Sequence, residues 1–225
     1  MKSVLITGAS RGIGLSTANL FLANGFRIFG TSTSGEIAIT HQNFTPLQLQ
    51  LSSQVSIQQA VEVLKKEIAT LDVLINNAAI INDVDDEVPD VQKIRETYEV
   101  DVIGTIVLTE ILAPMIPAGG HIINMSSICG SFSDPVDDGT SLGYRMAKAA
   151  LNMYTRSLAL RLSERNVVVS ALDPGWVSTD MGNRVATETE KPEQTPEGTA
   201  QDIFQLATTC TETGYFWRFG KKRSW

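Results

Sequence analysis

The chain has 225 residues, 43% hydrophobic and 19% charged, an ordinary balance for a globular protein long enough to bury a substantial core. A formal net charge of −7 and a sequence isoelectric point of about 4.9 argue against nucleic acid or an anionic membrane surface as partner. No apolar run reaches the ~18–20 residues of a membrane span, and no leader precedes "MKSVLITG", so a cytoplasmic protein is expected.

In chain order, "SVLI" (3–6) is a short β-rich run that passes into a helical pattern over 12–24. "FRIFGT" (26–31) and "PLQLQL" (46–51) read as strands, and "VSIQQAVEVLKKEIATL" (55–71) as an amphipathic helix. "DVLI" (72–75) is strand-like and runs into "NNAA". A long helical stretch over 91–113 breaks near Pro114 and Pro117. "HIINM" (121–125) reads as a strand, 144–165 as a helix, and "VVVSALD" (167–173) as a buried strand stopped by "PG". A polar stretch, 178–198, precedes a last helix near 199–209 and a final strand, "GYFWRF" (214–219). Seven strands alternating with helices imply right-handed crossovers, hence a doubly wound, mostly parallel α/β sheet with helices on both faces. Without a linker or repeat, residues 1–225 read as one domain. The two histidines, His41 and His121, offer no metal site, and Cys129 and Cys210 stand too far apart for a CxxC pair, so both thiols are expected to be reduced.

The first strand leads into "TGASRGIG" (7–14). There Gly8 allows a sharp turn, Gly12 close approach of a phosphate, and Gly14 tight packing of helix on strand. The helix N-terminus then offers unpaired N–H groups and a favourable dipole to a pyrophosphate. The spacing, Gly-x3-Gly-x-Gly, differs from the common G-x-G-x-x-G fingerprint, so it is the place after the first strand of an alternating chain that points to a dinucleotide. Further on, "GYRMAKAALN" (143–152) sets Tyr144 and Lys148 at i and i+4 on one helical face, where their polar tips can meet. Such a pair also arises by coincidence, and its company gives it weight.

Together these segments resemble the short-chain dehydrogenase/reductase family. "NNAA" (76–79) matches that family's Asn-Asn-Ala-Gly strand end, Ser127 in "NMSS" its catalytic serine, and Tyr144 with Lys148 its Tyr-x3-Lys. "DPGWVSTDM" (173–181) matches its Pro-Gly segment with a nicotinamide-contacting threonine, here Thr179. "YRMAKAALNM", "PGWVSTDMG" and "TGYFWRFGKKRSW" are most similar to short carbonyl-reductase-like members of the Sniffer and C-factor type. The resemblance implies a single-domain Rossmann fold that reduces a carbonyl compound, with Ser127, Tyr144, Lys148 and Asp101 as the catalytic set. It implies a cofactor site made by Gly8, Ser10, Arg11, Gly12, Ile13, Gly14, Ser32, Thr33, Gln50, Leu51, Asn77, Ala78, Ala79, Tyr144, Lys148, Pro174, Gly175, Val177 and Thr179.

Reducing a carbonyl requires a hydride on carbon and a proton on oxygen. A free tyrosine titrates near ~10, and Lys148 is expected to stabilise the phenolate; a ~3-unit shift needs ~4 kcal/mol of differential stabilisation. Ser127 would hold the substrate oxygen against Tyr144, and Lys148 would also grip the nicotinamide ribose. Binders of NAD often carry a carboxylate at the end of the second strand, but here that position is close to Ser32 and no carboxylate follows until Glu36. The guanidinium fork of Arg11 suits a 2′-phosphate, so NADP(H) is the expected cofactor.

Three positions depart from the family pattern: Asp101 stands for Asn, Gln50 for an Asp beside the adenine, and Ala79 for Gly. The segment between Ser127 and Tyr144 carries Asp134, Asp137 and Asp138. An acidic mouth would disfavour a substrate borne by an acidic carrier, while the basic "RFGKKR" (218–223) is placed at the chain end. A small neutral ketone or aldehyde is therefore expected, with beta-ketoacyl reduction and a non-catalytic, cofactor-binding sensor as the alternatives. Ile128, Cys129, Phe132, Trp176 and Met181 are candidates for an apolar pocket, and 178–198 for a substrate loop. Surplus apolar residues over 105–116 and 149–162 predict a second contact face, and so a homodimer or homotetramer.

Overall fold

Strands β1 (Ser3–Ile6), β2 (Arg27–Ser32), β3 (Phe44–Gln48), β4 (Val73–Asn76), β5 (His121–Met125), β6 (Val168–Asp173), β7 (Tyr215–Arg218) and β8 (Lys221–Arg223) form one sheet in the computed structural model. The structure describes every residue except Asp85, Asp137, Asp138 and Glu188. The strand order is β3-β2-β1-β4-β5-β6-β7-β8; the first seven strands pair in parallel, and β8 runs antiparallel to β7. The seven parallel strands are those the sequence predicts. The eighth was not foreseen, because "KKR" carries no apolar signal. It returns through a tight turn in which Phe219 and Gly220 both adopt positive φ, 48° and 70°, as a two-residue hairpin requires.

Helices α1 (Gly12–Ala23), α2 (Gln54–Glu67), α3 (Val91–Tyr98), α4 (Thr105–Leu112), α5 (Leu142–Leu162), α6 (Asp180–Asn183) and α7 (Pro196–Thr209) connect the strands. The strands distribute their side chains with period two. Leu5, Phe29, Leu74, Ile122 and Val169 pack against Leu64 of α2, Leu108 and Leu112 of α4, and Leu158 of α5. Val4, Ile6, Ile28, Ile75, Ile123 and Leu172 face the other way, onto Ala18 and Phe21 of α1 and Ile203 and Leu206 of α7. Each fully buried aliphatic side chain contributes roughly 1.5–3 kcal/mol of transfer free energy, which is what holds the three layers together.

The helical stretch over 91–113 is not continuous. A π-helical turn, Glu99–Gly104, separates α3 from α4, and a 3-10 turn at Ala113–Met115 carries Pro114. A Cβ on Gly104 would lie 2.2 Å from the Leu51 carbonyl oxygen, so glycine permits this turn to press on the end of the β3–α2 connection. The turn carries Asp101 into the interior, where it is 1% exposed. At the sheet centre, Asn76 and Asn124 face one another across β4 and β5. Asn76 Nδ2 donates to Asn124 Oδ1 at 2.7 Å and to Thr109 Oγ1 at 2.9 Å, and Asn124 Nδ2 donates to Thr155 Oγ1 at 2.8 Å. Among the described residues no helix is long and apolar enough to cross a membrane, and no His, Cys, Asp and Glu group could hold a metal.

Candidate active site

The glycine loop, "NNAA", Ser127 and the Pro174–Gly175 turn all leave the sheet at the carboxyl ends of its parallel strands, where open α/β folds form their crevices. The glycine loop is held from below. Asn77 donates through Nδ2 to the carbonyls of Thr7 (2.8 Å) and Gly8 (3.1 Å), while the N–H groups of Asn77 and Ala78 both donate to Thr7 Oγ1 at 2.9 Å. Gly14 lies so close to this brace that a Cβ would sit 2.2 Å from the Gly8 carbonyl oxygen. Gly12, at φ 54°, faces the methyl of Thr179. Arg11, the N-cap of α1, makes no side-chain cap, and the first turn of α1 contains no acidic residue. The N-terminal N–H groups and helix dipole are thus unopposed, which fits the pyrophosphate of a dinucleotide.

A cleft of about 650 Å³ runs over this loop. Of the residues the sequence assigns to the cofactor, its wall includes Gly8, Ser10, Arg11, Gly12, Ile13, Gly14, Ser32, Thr33, Gln50, Leu51, Asn77, Ala78, Ala79, Tyr144, Lys148, Pro174 and Thr179. Gly175 and Val177 lie outside that wall: Gly175 packs under Phe219, and Val177 is 4% exposed. Ile80, Met125, Ser126, Asp180, Asn183 and Pro196 also line the cleft without having been singled out, since nothing in their types marks a contact. Met181 lines it too, whereas Phe132 is 91% exposed. Arg11 reaches across the mouth to Asp180, Nη1 to Oδ2 at 2.8 Å, with both side chains largely in solvent.

Tyr144 and Lys148 line the floor of the cleft, and Ser127 and Asp101 lie outside its wall, against them. Tyr144, half-buried in the first turn of α5, shares a hydrogen bond with the Ser127 side chain. Ser127 Oγ also accepts the N–H of Cys129 at 3.1 Å, so it caps its turn as well as facing the tyrosine. Lys148 is 2% exposed; its Nζ donates to the Met125 carbonyl at 3.2 Å and lies 5.2 Å from the centre of the Tyr144 ring. The same Nζ lies 3.2 Å from Asp101 Oδ2, and Asp101 Oδ1 accepts the Ile80 N–H at 2.9 Å. Burial pushes the Asp101 carboxyl up, against the opposing pull of Lys148 and the Ile80 N–H.

In the chain itself the Tyr144 phenol is pushed above its ordinary range; the phenolate stabilisation expected from the sequence belongs to Lys148 together with an oxidised nicotinamide. Burial is the chief cause of that rise, and Cys129, Asp101 and Asp173 add to it, while the bond to Ser127 opposes it. The acidic mouth needs revision: Asp134 pairs with Arg223 of β8, and Asp137 and Asp138 lie outside the described residues. The basic cluster of 218–223 is not remote from the site, because Arg218 pairs with Asp173 and Glu193. Cys129 and Cys210 are free thiols.

The local start of α5 is unusual. Its N-cap, Ser141, is left-handed at φ 56° and makes no side-chain cap. The carboxylate of Asp83, 3% exposed, takes that place: Oδ2 accepts the Gly143 N–H at 2.6 Å, and the Asp83 carbonyl accepts the Ser141 N–H at 3.0 Å. The connection after β4 therefore fixes the helix that carries Tyr144 and Lys148, and through Ile80 it also holds Asp101.

A family model described as short chain dehydrogenase matches residues 2–190. The 3-oxoacyl-(acyl-carrier-protein) reductase FabG of Escherichia coli is 32% identical over 193 residues, covering 80% of this chain and 75% of the relative. The FabG of Aquifex aeolicus is 33% identical over 210 residues, covering 88% and 83%. Among solved structures, an NADPH-bound carbonyl reductase from chicken fatty liver superposes with a TM-score of 0.90 at 29% identity, covering all of this chain and 94% of that one. The carbonyl reductase Sniffer of D. melanogaster superposes at 0.86 and 27% identity over the full length of both. The glycine cradle, the Ser-Tyr-Lys cluster and these matches lead to one conclusion: the chain belongs to the short-chain dehydrogenase family.

Proposed function

We propose that this protein is an NADP(H)-dependent reductase of a small neutral carbonyl compound, with residues 1–225 acting as one catalytic unit. The observation that carries this reading is Tyr144, bonded to Ser127 and one turn from Lys148, on the floor of a cleft whose other end is the glycine cradle. Arg11, and Ser32 in place of a carboxylate, favour a cofactor with a 2′-phosphate. The NADPH-bound state of the chicken reductase, which shares the fold, supports the same choice. When bound, the reduced nicotinamide supplies the hydride. The chain's own residues do the rest. Ser127 and Tyr144 accept the substrate oxygen between their hydroxyls, and Tyr144 gives that oxygen its proton. Surroundings that keep the phenol protonated suit this direction, because reduction requires an acid at Tyr144. Lys148, held by Asp101 and the Met125 carbonyl, is oriented to hold the nicotinamide ribose. Asp101 is a positioning residue for that lysine.

A second reading has its own support. The curated relatives named above are 3-oxoacyl-(acyl-carrier-protein) reductases, and the neutralisation of Asp134 by Arg223 removes part of the acidic field once set against an acidic carrier. Following NADPH oxidation with a panel of aldehydes, diketones and acetoacetyl thioesters separates the two. Turnover of simple carbonyls with little thioester activity supports the first reading, and the reverse preference supports the second. Tight NADPH binding with no turnover of either class would instead support the sensor alternative.

A further inference from the structure

The C-terminal hairpin of β7 and β8 plays no part in the chemistry just described, yet it grips three segments around the mouth. Strand register sets Arg218 opposite Asp173. Its Nε lies 3.3 Å from Asp173 Oδ2, and its Nη2 donates to Glu193 Oε1 at 2.7 Å. Asp173, 2% exposed, ends β6 immediately before the Pro174–Gly175 turn, and its Oδ1 accepts the Gly175 N–H at 3.1 Å. Glu193 stands at the foot of the 178–198 loop. There the Glu193 and Gln194 N–H groups donate to the Trp176 carbonyl at 3.0 and 3.1 Å, and the Ser178 N–H donates to the Gln194 carbonyl at 2.9 Å. A Cβ on Gly175 would lie 2.6 Å from the Phe219 ring, so the hairpin turn is seated directly on this junction. Arg223 holds Asp134 in the segment between Ser127 and Tyr144.

We propose that Arg218 is a positioning residue of the active site: one guanidinium ties the end of β6, where the Pro174–Gly175 turn begins, to the foot of the 178–198 loop, and so sets how that loop sits over the cleft. Its rigid fork offers separate nitrogens, Nε and Nη2, to the two carboxylates, whereas a lysine would have to serve both from a single ammonium. The clamp also has an electrostatic side. The titratable groups around Tyr144 are Lys148, Cys129, Asp101 and Asp173, and those around Asp173 are Arg218 and Arg223. Burial raises the Asp173 carboxyl, and Arg218 and Arg223 pull it back toward its ionised form. Without Arg218 its charge acts on Tyr144 less opposed, and the phenol rises further. The kinetic consequences rest on the reductase function proposed above; the structural one does not.

The test compares Arg218→Met, Arg218→Lys and Glu193→Gln with the unmodified protein. Limited trypsin digestion reads the loop directly, through cleavage after Arg184, since the Lys191–Pro192 bond resists trypsin. Arg218→Met should speed that cleavage at least fivefold and raise KM for the carbonyl at least tenfold, with a smaller change in kcat. It should also move the acid limb of alcohol oxidation upward by about half a pH unit. Arg218→Lys should restore the limb but only part of the loop's protection. Glu193→Gln, on the loop surface, should loosen the loop while leaving the limb in place, and it decides the matter if Arg218→Met does not fold. Cleavage rates and KM within twofold of the unmodified protein in the folded variants would overturn the clamp. If the unmodified protein turns over no carbonyl, the reductase reading falls, and the trypsin comparison still decides this one.

Discussion

Asp101 and Lys148 lie 3.2 Å apart where side-chain exposure is 0% and 3%, so removing either leaves the other with the full penalty of burial. Asp101→Asn is the informative change, because the amide oxygen can still accept the Ile80 N–H while the negative charge beside Lys148 and Tyr144 disappears. That charge is one of the causes holding the phenol above its ordinary range, so its loss should lower the titration. We predict that activity is kept or raised and that the acid limb of alcohol oxidation moves to lower pH than in the unmodified enzyme. An unmoved limb would rule out the charge effect. Tyr144→Phe should abolish turnover and leave NADPH binding intact, as fluorescence titration would show. Cofactor choice is a second residue-scale matter. NADPH should bind at least tenfold tighter than NADH, about 1.4 kcal/mol, and Arg11→Ala should erase most of that gap. Equal affinities in the unmodified protein would discard the assignment. Arg11, Ser127, Tyr144 and Lys148 were legible in the sequence because each stands in a local motif. Asp173 with Arg218 was not, because that pairing is created by strand register.

At the scale of elements, the start of α5 depends on a residue 60 positions away. Asp83→Ala should cost about 1–2 kcal/mol, the range for losing a helix cap, and lower Tm by a few degrees, measurable by calorimetry. Asp83→Asn, which keeps an acceptor for the Gly143 N–H, should recover most of the loss. β5 carries a pH dependence. His121 is 2% exposed, its Nε2 is 2.9 Å from Ser170 Oγ, and burial pushes its pKa down to about 3. The native state therefore keeps the imidazole neutral, whereas the unfolded chain protonates it near its ordinary pKa of ~6.5. The stability linked to this group is complete above ~6.5 and falls progressively as pH drops toward about 3. Between pH 7 and pH 5 the loss should reach about 2 kcal/mol, and His121→Gln should flatten that slope in urea unfolding. The parallel strands and the longer helices were readable from apolar periodicity to within a few residues, whereas α6, inside the polar stretch 178–198, was not. The π-helical turn was not, since one extra residue within a helix leaves the apolar pattern almost unchanged, and β8 was not, since its turn rather than its composition makes it a strand.

For the molecule as a whole, the outer face of α5 bears on assembly. Met146, Met153 and Leu160 recur every seventh residue and are 42%, 58% and 78% exposed, and Ile103, just before α4, is 47% exposed. Glu110 of α4 joins the two helices through Tyr154 and Arg161. We predict that a second copy covers this face, giving twice the 24.4 kDa chain mass in dilute solution, and that Met153→Asp with Leu160→Asp yields monomers. A single-chain mass for the unmodified protein would overturn this. The polar rung of Asn76 and Asn124 has a different consequence. It sits at the seam where the β1–β4 half of the sheet meets the half that begins at β5. A slip of one residue at that seam would turn one of the two amides onto the opposite, apolar face and part it from the other. A slip of two would leave them unpaired where exposure is 4% or less, at roughly 1–3 kcal/mol for each stranded group. Such a rung adds little to the native fold, but it penalises every misthreaded one, so replacing both asparagines by leucine should leave a chain that still collapses but no longer settles into a single register.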